Sequence, residues 1–581
     1  MSSYSYKKRN KLSLYDKRLV FVLIVCITFA IIIIGRLFFL QILNGKKYKD
    51  QANRTHQMED DLIAQRGEIF IREFNTSFRY PIATNQITYR VIVEPSKIQN
   101  KQQVVKLLAN SLSLDESELI DIVSKNDPYE RIADHVSQVE VDKIKEYGLK
   151  GVVFESEVRR FYPEDNFGGQ ILGFVGFDKD RPAGSGRYGL EGYFDKELAG
   201  VNGYIKGEKD AFGNAISLAD QTVEEVVEGV DLELTIDRGI QFFICTEINE
   251  AIKTYDAESG SILVMDPNKG SILGMCSTPD YNPNEYNKIK DQSLFVNPAI
   301  FNQYEPGSIM KPITMAAGID AGVVNPETTY EDTGSVYIKP YTIKNSDGKA
   351  NGVQTMTQVL EKSLNTGVIY VVELLGPDRY RQYMENFGFG DLTGVELDTE
   401  VGGDISSLKK NGEIWSATAS FGQGIAVTSL QMLNAFNVIA NGGKLMKPYI
   451  VEKKIDGNGN IDITESKIIS QVISSRSATL LRGMLTSVVE FGHASLAKVP
   501  GYYIGGKTGT AQISKKGGGG YEEDQKITTF VGFAPVDKPR FSILIKMDNP
   551  KNVEWASSSA APVFADVAKF ILNYYKIPPE R

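Results

Sequence analysis

Apolar side chains run almost unbroken from residue 19 to residue 43, as "LVFVLIVCITFAIIII" followed by Gly35, Arg36 and "LFFLQIL". Thr28 is the one polar side chain in the first of these stretches. About 20 apolar residues cross a bilayer core, so the pattern predicts a membrane helix, with Arg36 able to reach the headgroups. The run is long for a signal-peptide core and no A-x-A-like cleavage site follows, which favours an uncleaved anchor. Beyond it the period changes. "YRVIVEP" (89–95) is β-rich. "QQVVKLLANSLSL" and "ESELIDIVSKN" carry apolar groups at helical spacing, and "VEVDKIKEYGL" predicts a helix closing at Gly148. "GSILVMDPNKGSILGMCS" predicts two strands joined at Asp266–Gly270, and "TTFVGFAP" and "RFSILIKMD" predict two more. Helical stretches such as "SLQMLNAFNVIAN" lie between. Helices set between the halves of an antiparallel sheet imply an α+β layout. The glycines Gly517–Gly520 predict a flexible loop.

At 581 residues the chain exceeds a single core. The pattern divides it into 1–18, a tail; 19–43, the span; 44–233, a mixed α and β region; and 234–581, the α+β region. The tail holds Lys7, Lys8, Arg9, Lys11, Lys17 and Arg18 against Asp16, although the whole chain carries −9. Basic residues before a span stay in the cytoplasm, which predicts a single-pass plasma-membrane protein with its bulk outside. An acidic body argues against a nucleic-acid partner. Of three cysteines, Cys26 lies in the span, and a disulfide between Cys245 and Cys276 is open. The three histidines, His56, His135 and His493, lack a neighbouring ligand at metal spacing, so no metal is expected. No phosphate loop or other cofactor motif is present.

"EPGSIMKP" (305–312) puts Ser308 and Lys311 one helical turn apart, with Pro312 tolerable only near a helix start. Lys311 acts as a base only if its amine can become neutral, which burial or a second cation favours. "KSLNTG" supplies Ser363 and Asn365, and "GGKTGTAQI" supplies Lys507, Thr508, Gly509 and Thr510. Gly505, Gly506 and Gly509 are expected to allow close approach to a ligand. No histidine lies near the motifs in sequence. Each motif alone arises by chance. The ordered trio S-x-x-K, S-x-N, K-T-G is far more specific, and is associated with penicillin-binding proteins and serine β-lactamases.

The chain resembles a class B penicillin-binding protein, a monofunctional peptidoglycan D,D-transpeptidase. "NPAIFNQYEPGSIMKP", "FGQGIAVTSLQM", "VGFAP" and "AAPVF" are similar to that family's transpeptidase hallmarks, and "RGEIF", "RFYP" and "GLEGYFDKELAG" to its pedestal motifs. Two pedestal motifs depart from the family: Ile71, Arg72, Glu73 and Phe74 replace the usual Asp-Arg-Asn-Gly, and Asp165 stands where glycine is common.

The resemblance implies an elongated α/β pedestal over 44–233 and a penicillin-binding transpeptidase domain over 234–581. It implies that Ser308 attacks the carbonyl between the two D-alanines of a stem peptide. Lys311 takes the proton, Ser363 relays one to the leaving D-alanine, and Asn365 holds Lys311 and the substrate amide. Lys507, Thr508, Gly509 and Thr510 bind substrate, the carboxylate falling to Lys507, Thr508 and Thr510. The N–H groups of Ser308 and Thr510 form an oxyanion hole. β-Lactams are expected to acylate Ser308, and a membrane glycosyltransferase and other division proteins are expected partners. Asn365 and "NFGFGDLTGVELDTEVGG" look more division-type than elongation-type. The rivals are an elongation-type enzyme, a β-lactam-hydrolysing relative and a β-lactam sensor. A glycosyltransferase motif before residue 230 is lacking, so a bifunctional enzyme is not expected.

Overall fold

In the computed structural model, residues 14–44, 57–125, 127–165, 167–178, 181–208, 222–515, 520–551 and 553–581 are described. Most of the basic tail and Gly517–Gly519 of the expected glycine loop lie outside these residues. Two units emerge, Met1–Ala64 with Val201–Val227, and Gln65–Gly200 with Glu228–Arg581.

In the first unit the predicted span forms, as the helix Leu14–Phe38 continued by a wider turn Phe39–Leu43. Arg18–Leu43 is the one helix among the described residues long and apolar enough to cross a membrane. Its Thr28 hydroxyl donates to the Ile24 carbonyl at 2.8 Å, so that the hydroxyl needs no water partner. The unit also holds an antiparallel sheet of Gln57–Leu62, Gly203–Glu208 and Thr222–Glu224.

The second unit is α+β, and two sheets organise it. The first runs in the order Ile461–Ile463, Val451–Ile455, Asp231–Asp237, Ile69–Arg72, Arg79–Val93, Glu130–Val136, with Val152–Phe161 also paired to Arg79–Val93. Asp231–Asp237 pairs on one side with Ile69–Arg72 and on the other with Val451–Ile455, so the expected join at 233/234 falls within a strand. The predicted helices appear as Lys101–Leu112, Glu116–Ser124 and Gln138–Glu146, packed on this sheet around a small core including Val91, Leu108 and Ile144.

The second sheet has five antiparallel strands in the order Ile272–Thr278, Ser259–Met265, Phe541–Asp548, Tyr521–Ala534, Gly505–Ser514. All four strands read from the apolar alternation are there, and the fifth carries the K-T-G motif. Helix Ser429–Ala440 is buried along its whole length. Thr428 and Gln431 form its capping box, and Gln431 also donates to the carbonyls of Gly402 at 2.6 Å and Asp391 at 2.9 Å. The open question of the cysteines is answered: Cys245 and Cys276 are joined, linking helix Arg238–Tyr255 to strand Ile272–Thr278.

Three of the pedestal motifs meet at one buried carboxylate. Glu191 takes Arg160 Nε at 2.6 Å and Arg66 Nη2 at 2.6 Å, with the Tyr162 hydroxyl at 3.3 Å. Burial pushes the Glu191 carboxyl up, but Arg160 and then Arg66 outweigh it and hold the group below its ordinary range. Removing one partner of a buried pair typically costs about 3–5 kcal/mol. Glu191→Ala is therefore expected to lose that much in urea unfolding of the full chain. The Glu191 contribution is present above its unfolded value near 4.5 and is lost as pH falls through the lower folded value. A loss under about 1 kcal/mol, the range of exposed pairs, would contradict this account.

Candidate active site

A tight turn, Gly307–Met310, carries Ser308, and the α-helix proper begins at Lys311 and runs to Asp320. Pro312 sits in its first turn, where its missing N–H has no helical partner to lose. The turn is wedged from behind. Gly307 has φ +58 and donates to the Gly422 carbonyl at 3.1 Å. A Cβ on Gly422 would stand 2.4 Å from Gly307 N, which accounts for glycine in the "FGQG" hallmark. Glu305 accepts from Gly424 N at 3.0 Å and from the Tyr521 hydroxyl at 3.0 Å, tying the turn to the return strand of the K-T-G hairpin.

The glycines of "GGKTG" are required by the protein's own packing. A Cβ on Gly505 would meet the Phe533 ring at 2.7 Å, and one on Gly506 the Phe530 ring at 2.6 Å. One on Gly509 would meet Thr529 Oγ1 at 2.5 Å and Ile309 Cγ2 at 2.9 Å. These glycines admit the protein's own aromatic core and set the strand against the Ser308 turn.

The three motifs converge on Ser363. Lys311 is fully buried; its Nζ donates to the Ser363 carbonyl and to Ser363 Oγ at 3.1 Å. Lys507, also fully buried, donates to the same Oγ at 3.0 Å and to the Thr508 carbonyl at 3.1 Å. A hydroxyl has two lone pairs and one proton. With both lone pairs taken by the lysines, the Ser363 proton is free to point elsewhere, toward a leaving group. Burial holds the Lys311 ammonium well below its usual range, and the neighbouring Lys507 charge lowers it further. Burial brings Lys507 down to about 7. Burial and the Lys507 charge both favour the neutral Lys311 amine, the form that can accept a proton. Its hydrogen bonds go to Ser363.

Asn365 opens the helix Asn365–Leu375, and its amide donates to the Lys344 carbonyl at 2.8 Å. The expected bond from Asn365 to Lys311 is not made; Lys311 is held by Ser363 instead. Ser308, Ser363 and Thr508 line a cavity of about 380 Å³, and Ser308, Asn365 and Thr510 a wider cleft of about 910 Å³. Thr510 Oγ1 accepts from Ala556 N at 3.2 Å, leaving its proton available to a ligand.

Other groups at the site have no motif. His493 and Asp347 line the smaller cavity and Trp555 lines both. His493 lies well before Lys507 in sequence, and no spacing rule marks it. Asp332 is buried and accepts from Asn345 at 2.9 Å, Asn351 at 2.7 Å and Thr366 at 2.8 Å, fixing the residue after Asn365. It belongs to the segment 329–355, where the apolar pattern predicted no element and the structure has two strand pairs.

Residues 260–569 match the penicillin-binding protein transpeptidase domain, and residues 61–234 the penicillin-binding protein dimerisation domain. The chain belongs to the penicillin-binding protein transpeptidase family. Having the dimerisation domain ahead of the transpeptidase domain, this penicillin-binding protein is of class B. It is 32% identical to stage V sporulation protein D of Bacillus subtilis, over 97% of this chain and 87% of that protein. It is 28% identical to peptidoglycan D,D-transpeptidase FtsI of Buchnera aphidicola, over 100% of this chain and 99% of the relative. Among solved structures, penicillin-binding protein 3 of Mycobacterium tuberculosis superposes with a TM-score of 0.69 at 26% identity, covering 90% of this chain and 98% of the other. That protein has also been solved with aztreonam and with ampicillin.

Proposed function

We propose that this penicillin-binding protein is a peptidoglycan D,D-transpeptidase working through an acyl-enzyme on Ser308. The observation that carries the reading is the convergence of Lys311 and Lys507 on Ser363 beside the Ser308 cavity. In the forward step Ser308 Oγ bonds to the penultimate D-alanine carbonyl carbon as its proton passes to Lys311. The N–H groups of Ser308 and Thr510 stabilise the oxyanion. As the intermediate collapses, the amide C–N bond breaks, and a proton delivered through Ser363 leaves with the terminal D-alanine. Lys507, Thr508 and Thr510 hold the donor's carboxylate, with Gly509 admitting the strand to the turn. Asn365 orients the substrate amide. An amine from a neighbouring strand then takes the acyl group, restoring Ser308 and forming the cross-link.

The division of the chain into tail (1–18), anchor (19–43), pedestal (44–233) and transpeptidase domain (234–581) belongs to the same proposal, with the N-terminus cytoplasmic and the remainder outside. A septal role is supported by Asn365 in the S-x-N motif and by relatives bearing the FtsI name. A membrane glycosyltransferase is the partner this role calls for. One experiment tests site and orientation together. Intact spheroplasts carrying the chain are treated with a membrane-impermeant fluorescent penicillin, and the label is mapped. The expected result is one labelled peptide containing Ser308. Labelling only after lysis would reverse the orientation, and labelling of another residue would refute the site.

A further inference from the structure

The site holds a titratable group that the proposed chemistry does not use. His493 follows helix Ser475–Phe491 and docks on the turn that carries Ser363. Its main-chain N–H donates to the Glu361 carbonyl at 3.3 Å, and its imidazole lies against the Lys362 carbonyl. The next carbonyl, that of Ser363, accepts from Lys311. Of three successive carbonyls, the first is held by the His493 main chain, the second lies beside its imidazole, and the third is held by Lys311. Gly492 makes the approach possible, since a Cβ there would stand 2.7 Å from Glu361 O. Ser363 has φ +56, a left-handed conformation that costs a non-glycine residue of order 1–2 kcal/mol and persists only when its surroundings impose it.

The imidazole also faces the reacting groups, lining the cavity with Ser308, Ser363 and Thr508. The charged groups around it are Lys507, Lys311 and Asp347, with Lys349 and Lys362 on the cavity wall. The Glu361 carboxylate is engaged by Ser487. Burial first, then Lys507 and Lys311, hold the imidazole below its ordinary range against the opposing pull of Asp347, so it is neutral at pH 7.5.

We propose that His493 is a positioning residue for Ser363, and that its protonation slows acylation. This inference rests on the Ser308 acyl-enzyme reading. During attack the Ser308 proton moves to Lys311, which changes from neutral amine to ammonium. An imidazolium in the same cavity opposes that developing charge, whereas neutral imidazole does not. The bracing of the turn needs only a hydrogen-bond donor at the Lys362 carbonyl, which a glutamine amide can also supply.

The test is the second-order rate of acylation by penicillin, followed by intact-protein mass on the full chain in detergent between pH 5 and 8.5. Wild type is expected to lose rate on the acid side more steeply than His493→Gln, because the imidazole adds its own proton to whatever dependence the lysines give. His493→Gln should act close to wild type at pH 7.5 and exceed it at the acid end, where the imidazole is protonated. His493→Ala should be about tenfold or more slower at every pH, as a misplaced turn dictates. An acid limb in His493→Gln as steep as that of wild type would overturn the inference, and so would a wild-type rate in His493→Ala. Failure of wild type to acylate at Ser308 would instead overturn the proposed function.

Discussion

Lys311→Ala is expected to slow acylation of Ser308 by about 10³-fold, within the range that a positioned general base supplies. The reason is the position of Lys311 and the commitments of its neighbours. Lys311 is one helical turn from Ser308 and fully buried, and burial and Lys507 both hold its ammonium below the usual range. Lys507 is already committed to Ser363 and Thr508, and His493 rests on the Lys362 carbonyl. The wild-type rate should rise with pH through the Lys311 value, since its protonated form cannot accept a proton. The variant should lose that dependence. The fold should survive, because Lys507 still satisfies the Ser363 hydroxyl. Stopped-flow acylation with circular dichroism on the same samples checks both points. A folded Lys311→Ala that acylates near the wild-type rate would mean that another group is the base.

The second large effect is in the lifetime of the adduct. Penicillin should leave a penicilloyl group on Ser308 that outlasts removal of the drug by many minutes, and none on Ser308→Ala. An enzyme that hydrolyses the adduct at typical turnover, about 1–10³ per second, would lose it within a second or so. Hydrolysis requires a water activated by a nearby base, a glutamate in class A β-lactamases. The acidic residue nearest Asn365 on its N-terminal side, Glu361, is bound by Ser487 and does not line either Ser308 cavity. Asp347 lines the smaller cavity, but it is solvent-exposed and accepts from Lys349 N at 3.1 Å. Glu522 and Glu554 line the wider cleft, Glu554 exposed and Glu522 part-exposed on the return strand of the hairpin, so neither is a buried carboxylate. The antibiotic's own bulk blocks the incoming amine. Intact-protein mass after desalting follows the adduct. Loss of the label in seconds, with hydrolysed penicillin accumulating, would make the chain a β-lactam hydrolase.

What could be read before any coordinates were those features whose cause is local. The span announces itself because a bilayer demands an uninterrupted apolar run. The helices and strands of the two large regions follow apolar spacing, which is set by backbone geometry. Ser308 and Lys311 share a face because a helical turn places them there. The other candidate groups were legible only because S-x-N and K-T-G follow S-x-x-K in order, a likeness of motif rather than a deduction from spacing.

Tertiary structure decided what depends on segments far apart in the chain. Lys311 and Lys507 become bases of altered strength only when folding buries both against one hydroxyl, and no window of sequence contains that burial. Glu191 gathers Arg66 from 125 residues away and Arg160 from 31, a meeting that no single motif announces. The glycines of "GGKTG" signal close approach without saying to what; Phe530, Phe533 and the Ser308 turn are the protein groups that lie close to them. Asn365 went to Lys344 rather than Lys311 because a hairpin from the unpredicted segment 329–355 carries that carbonyl to it. His493 escaped notice for the same reason. Its partners are the carbonyls of a turn more than a hundred residues earlier, and a main-chain acceptor leaves no trace in the identity of the residue that bears it.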